Sequence, residues 1–161
     1  LSANAGSFAS TKTQVMKNEL MTHLIKVAEK LNNTYSDECV LDEIVCRLSK
    51  ELAVLANLWK CTEPEAVLLA AIIIRTTDRI FEQCTFSDIS KVLGISNLKL
   101  IGHYHLLQNL RERGFISTEE LQMDKLTVIK LQGISTAVKP EIAELGWHYQ
   151  LSASTAAQLF F

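Results

Sequence analysis

Apolar residues recur at three- and four-residue steps from Thr11 onward, with Met16, Leu20, Leu24, Val27 and Leu31 on one helical face. Asn32-Asn33-Thr34 interrupts the pattern, and Ser36 or Asp37 can cap a second helix. Its apolar face runs through Val40, Leu41, Ile44, Val45, Leu48, Leu52 and Leu55. Two such helices joined by a short polar turn predict an αα-hairpin over residues 11–60. Ahead of it, residues 1–10 are small and polar with no period, and read as a flexible lead-in.

A second unit is expected over residues 61–145. Thr62-Glu63-Pro64-Glu65 has the form of a capping box, with proline where its missing N–H costs little. The helix it opens, residues 65–76, is apolar nearly all round and must be buried on most sides. Residues 86–93 form a short helix capped by Thr85 or Ser87 and closed by Gly94, which tolerates the left-handed conformation. Ile95 then plugs the angle between helices, and Ser96 or Asn97 caps a long helix reaching Arg113 and Gly114. Leu100, Tyr104, Leu107 and Leu110 face inward along it. Phe115-Ile116 reads as a strand, residues 125–131 as its β-branched partner, and residues 117–124 as the loop or wing between them. A further helix is expected over residues 140–145, while residues 146–161 form a C-terminal tail with no clear pattern. The predicted fold is therefore mainly α: an N-terminal helical hairpin followed by a winged helix-turn-helix with a small two-stranded wing.

Composition narrows the functional classes. The chain has 161 residues, is 48% hydrophobic and carries a net charge of -2, so it can bury a core but lacks the basic balance usual in nucleic-acid binders. The longest apolar run, residues 66–74, falls short of the roughly 20 residues that span a bilayer. No secretory signal is visible, and a cytoplasmic location is expected. The start at Leu1 and the apolar end at Phe160-Phe161 read as those of a fragment of a longer protein, with processing as the alternative explanation of both ends. Of the four cysteines, Cys39, Cys46, Cys61 and Cys84, none lies in a C-x-x-C pair, so free thiols are expected rather than a zinc ribbon or a disulfide framework.

The segments 65–72, 87–96 and 107–116 carry a resemblance. Together they resemble the winged-helix superfamily, and more narrowly the winged-helix region preceding the ATPase core in bacterial AAA-type ATPases. The similarity covers roughly residues 62–145. It implies an accessory, protein-binding role beside an ATPase core of the same polypeptide or a partner subunit. The stretch between Ser96 and Gly114 is about one turn longer than in ordinary winged-helix repressors, which weighs against DNA recognition. No G-x-x-x-x-G-K-[ST] occurs, so the chain itself holds no phosphate cradle.

Two uses of the long helix compete. As a DNA reader it would offer Asn97, Lys99, His103, Gln108, Arg111 and Arg113 to the major groove. Residues 86–116 contain Lys91, Lys99, Arg111 and Arg113 against Asp88 and Glu112, a thin positive excess for phosphate contacts. As a protein-contact element it would offer Leu98, Ile101 and Leu106, off the core stripe, with Gly102 permitting close approach of another backbone. The second use is favoured: a non-catalytic winged-helix interaction module, with a freestanding winged-helix transcriptional regulator as the alternative and a homodimer as a further arrangement.

The remaining chemistry-bearing residues read as structural. His103 and His105 are two apart on a helix and diverge, unlike the four-residue spacing of helical metal ligands. His23 and His148 are isolated, and Trp59 and Trp147 read as core anchors. Arg75, Asp78 and Arg79 are placed to form local ion pairs of small worth. No nucleophile elbow, acid pair or Cys/His arrangement stands out, so neither catalysis nor a cofactor or metal is expected.

Overall fold

The computed structural model describes residues 2–32, 39–78, 84–119 and 148–160. Among them the chain is mainly helical, with eight helices and one two-stranded antiparallel sheet. The helices are α1 (Ser2–Asn32), α2 (Leu41–Arg47), α3 (Ser49–Trp59), α4 (Glu63–Asp78), α5 (Phe86–Leu93), α6 (Asn97–Ile101), α7 (Tyr104–Glu112) and α8 (Ala153–Phe160). The strands are β1 (Ile116–Glu119) and β2 (His148–Leu151).

The expected apolar face of α1 is the one that is buried: Leu20, Leu24, Val27 and Leu31 enter the core, while Met16 stays exposed. The helix starts at Ser2, so the segment read as a lead-in is helical. Small residues such as Ala3, Ala5 and Ala9 carry little helix penalty, and their lack of apolar period hid the helix. The second helix of the hairpin is broken at Leu48, whose φ of -101° and ψ of 12° leave the helical basin. The hydrogen-bond ladder nevertheless passes through this residue, because Leu48 N–H donates to the Ile44 carbonyl at 3.0 Å and its own carbonyl accepts from Leu52 at 2.9 Å. Leu41, Ile44, Leu48, Leu52 and Leu55 are all buried, so the apolar stripe survives the bend.

At the α3 C-terminus Lys60 takes a left-handed conformation, with φ 57°, unusual for a residue with a side chain. That reversal sets up the capping box ahead of α4. The Thr62 hydroxyl accepts from Glu65 N–H at 3.3 Å and donates to the Glu65 carboxylate at 2.8 Å, while Thr62 N–H donates to the same carboxylate at 3.4 Å. From Ala66 to Ile72 every residue of α4 has zero exposure, as its all-round apolar composition requires. Helices α1, α2, α3, α5 and α7 and strand β2 pack around it.

The sheet departs from expectation. Ile116–Glu119 pairs with His148–Leu151, in the register Ile116 opposite Leu151 and Glu119 opposite His148. Among the described residues β1 thus pairs with a strand from the tail, while residues 125–131 and the expected helix at 140–145 lie outside the described residues. Cys84, between α4 and α5, bridges to Tyr149 on the other edge of β2, whose N–H donates to the Cys84 carbonyl at 2.8 Å. β2, late in the chain, is therefore central, with Cys84 and β1 on its flanks. α8 comes directly after it. Ser152 Oγ accepts from Thr155 N–H at 3.3 Å, and the Phe115 carbonyl accepts from Ser152 N–H at 3.0 Å and from the Thr155 hydroxyl at 2.9 Å. Leu159 is buried, and α8 packs on α1.

Candidate interaction surface on the second helix of the turn

The segment from α5 through the turn into α6 is assembled from local signals. Thr85 caps α5 in a reciprocal box: its hydroxyl accepts from Asp88 N–H at 3.2 Å, and the Asp88 carboxylate accepts from Thr85 N–H at 2.9 Å and from its hydroxyl at 3.0 Å. Arg75 of α4 reaches the same carboxylate oxygen at 3.4 Å. Burial raises the Asp88 pKa, but the Thr85 bonds and the Arg75 charge outweigh it and hold the carboxyl below its ordinary value. Arg75 therefore pairs with the next helix, a non-local contact where the sequence pointed to Asp78 and Arg79. Asp78 is exposed, and Arg79 lies outside the described residues. Gly94 closes α5 at φ 73°. Ile95 is buried as the inter-helix plug, and Ser96 accepts from Lys99 N–H at 3.2 Å to cap α6.

The long helix expected over residues 97–113 is two helices. α6 stops at Ile101, α7 starts at Tyr104, and Gly102 and His103 form a tight turn between them. His103 N–H donates to the Leu100 carbonyl at 2.9 Å and Leu106 N–H to the His103 carbonyl at 3.0 Å, three-residue bonds that replace the α-helical ladder. This break changes which residues face out. Leu100, Leu107 and Leu110 are buried as expected, and Tyr104 is half-buried. Leu106 is 9% exposed and belongs to the core, so it is not the surface contact that the helical period placed there. Leu98 and Ile101 are exposed, at 80% and 40%, one turn apart on α6. Gly102 is exposed too, and a Cβ built there would meet the Lys99 carbonyl at 3.4 Å. Among the described residues no other element comes within 4 Å of that position, so the close approach expected of Gly102 is not made among them.

The DNA-facing set scatters. Asn97 is exposed but its side-chain oxygen accepts a hydrogen bond from the Ser90 hydroxyl, which ties it to α5. Arg113 points back into the fold: it donates to the Lys60 carbonyl, lies 3.6 Å from the buried Glu65 carboxylate and sits 5.3 Å above the Phe115 ring. Arg113 thus secures the left-handed Lys60 turn against the α7–β1 junction. Lys99, His103, Gln108 and Arg111 are half-buried. Ser90 and the Lys60 carbonyl are the partners that sequence reasoning missed. A serine on an otherwise apolar helix face was the signal for the first, and nothing local marks the second.

Elsewhere, Trp59 is a core residue, Trp147 lies outside the described residues, and His23 bonds the Glu19 carbonyl within α1 at 2.8 Å. An open hollow of about 530 Å³ on α2 is lined by Asp42, Glu43, Cys46 and Arg47, and Arg47 donates to the Cys39 sulfur at 3.0 Å. Burial pushes the Cys61 thiol up to about 11 and the Cys84 thiol up to about 12, which keeps both protonated near neutral pH. Among the described residues no cluster of three or more His, Cys, Asp or Glu could hold a metal ion, and no helix is long and apolar enough to cross a membrane. Comparison with protein-family models, curated proteins and solved structures found no match.

Proposed function

We propose that this chain is a non-catalytic winged-helix module that works by protein contact, with Leu98 and Ile101 of α6 as the contact residues. The observation that carries the reading is this pair of exposed apolar side chains on the second helix of the turn, while Asn97 and Arg113, the outer members of the expected DNA-reading set, are bonded to their own fold. Exposed large apolar residues side by side on a short helix mark a surface that gains from being covered. The winged-helix assignment is supported by element order: helix α4, the Cys84 bridge, helices α5 and α6–α7, then β1 and β2, with β2 in the middle. The resemblance to the region ahead of bacterial AAA-type ATPase cores names the first partner to test, an ATPase core in the same polypeptide or in a partner subunit.

A photo-crosslinking residue at position 98 of the endogenous full-length polypeptide tests this in its source cell. Crosslinks mapping to one segment of an ATPase core, absent when Ile101→Asp is added, are expected. A yield no higher than from a control position on exposed Lys50 would refute the contact. The DNA-binding regulator makes the opposite forecast: retention of duplex DNA at low salt, lost as salt rises and abolished by Lys99→Glu with Arg111→Glu.

A further inference from the structure

Gly102 is a glycine that its own surroundings do not require. Its backbone angles, φ -60° and ψ -18°, are ones any residue adopts. A Cβ built there would meet the Lys99 carbonyl at 3.4 Å, an ordinary contact, and among the described residues nothing else beyond its chain neighbours lies within 4 Å. Alanine in its place would favour this helical backbone roughly five-fold. Neither conformation nor packing among the described residues accounts for a missing side chain at this exposed point beside Ile101. Close approach by a backbone from elsewhere does account for it. The surface around it is also free of exposed charge. Between Lys91 and Glu112 every exposed residue, Leu98, Ile101 and His105 among them, is something other than Asp, Glu, Lys or Arg. Lys99 and Arg111 lie half-buried there with interactions of their own. By contrast, exposed Asp42, Glu43, Arg47 and Lys50 crowd α2 and the start of α3. Depletion of charge marks the centre of protein interfaces.

We propose that the occupant of this surface is an uncharged helix of the docking partner, which crosses at Gly102 with a small residue of its own and lays apolar side chains on Leu98 and Ile101. This rests on the protein-contact reading above and adds the chemistry of the partner segment. Two helix axes come close only where the side chains at the crossing are small, because those side chains set the interaxial distance. Gly102 supplies one half of that condition, and a Gly, Ala or Ser on the partner supplies the other. The face lies on two helices and offers no strand edge to extend, so a helix fits it where an added strand does not. With no exposed charge to pair, an acidic or basic occupant would give up hydration of its own charges for nothing.

Gly102→Ala separates a contact glycine from a structural one, in the endogenous full-length polypeptide with the photo-crosslinking residue at position 98. The thermal midpoint should stay level or rise, while the docked fraction read from crosslink yield falls about ten-fold, as when a methyl is forced into a close-packed contact. An unchanged yield overturns the crossing at Gly102. A midpoint that drops along with the yield makes the glycine structural and overturns it as well. Without the substitution, the yield should hold as salt rises from about 0.05 to 0.5 M, since screening weakens charged contacts. A yield that falls with salt overturns the uncharged occupant. Mapped crosslinks should land on a partner helix with Gly, Ala or Ser at the crossing. Crosslinks landing in residues 120–147 of this chain, or in a second copy of it, overturn the partner helix as occupant. Failure of the contact reading itself has a separate signature, since crosslinks at position 98 would then match the Lys50 control in every background.

Discussion

Replacing Asp88 with alanine removes the node that joins α4 to the start of α5. Its carboxylate accepts two bonds from Thr85 and faces Arg75, whose side chain is 12% exposed against 20% for Asp88 itself. A hydrogen bond to a charged acceptor contributes about 1.5–3 kcal/mol, and a carboxylate in the first helical turn about 0.3–1 kcal/mol more. Because both side chains retain some solvent, the ion pair adds less than a fully buried one would. A loss of about 2–3 kcal/mol is expected, which for a chain of this size lowers the thermal midpoint by about 5–10 °C. Asp88→Asn keeps an acceptor for Thr85 but not the charge opposite Arg75, and should cost about 1 kcal/mol. The pH dependence has a definite sign. The folded pKa of Asp88 lies below its ordinary value, so its contribution is complete above about pH 3.9. That contribution disappears as pH falls through the lowered folded value. Calorimetry at neutral pH and in increasing acid reads both effects, and the gap between wild type and Asp88→Ala should narrow only below about pH 4. A midpoint for Asp88→Ala within about 1 °C of wild type at neutral pH, or a gap closing already near pH 6, would refute this account.

Two further expectations concern the core and the thiols. Ile72→Ala, at a position with zero exposure on α4, should cost about 2–5 kcal/mol, seen as a lower urea midpoint with an unchanged slope. Exposed Cys46 should alkylate first in native buffer at mildly alkaline pH, and Cys84, buried and raised to about 12, should react only with unfolding. Peptide mass mapping separates them, and prompt labelling of Cys84 would contradict its bridge to β2.

Much of the helical layout was legible because capping residues and apolar period agree. Thr62 and Glu65, Thr85, Gly94 and Ser96 each sit where the sequence places a helix end. Leu24, Ile44, Ile72, Leu100 and Leu110 are buried on the faces their spacing assigns. The breaks at Leu48 and at Gly102–His103 were not legible, because an apolar period continues through both and tertiary packing decides whether the ladder does. For the same reason Leu106 was misplaced, while Leu98 and Ile101 fell on the surface as read. β2 was missed because a four-residue strand with one central buried side chain, Tyr149, carries too little alternation to stand out. The inward turn of Arg113 depends on Lys60, far away in sequence, and no local pattern encodes it.

The place of β2 in the sheet has a consequence for how the chain reaches its native state. Its neighbours, Cys84 and β1, precede it in sequence, and residues 120–147 must be crossed before β1 can pair with it. During synthesis the helical scaffold from α1 to α7 therefore emerges before its sheet can close, leaving the Cys84 carbonyl, one edge of β1 and the Phe115 carbonyl waiting for partners. Pairing between segments so far apart in sequence is slow relative to helix formation. The nascent chain therefore passes through an interval in which two strand edges are open to pairing with the wrong chain. The arrival of His148–Leu151 and Ser152 ends that interval by satisfying all three at once.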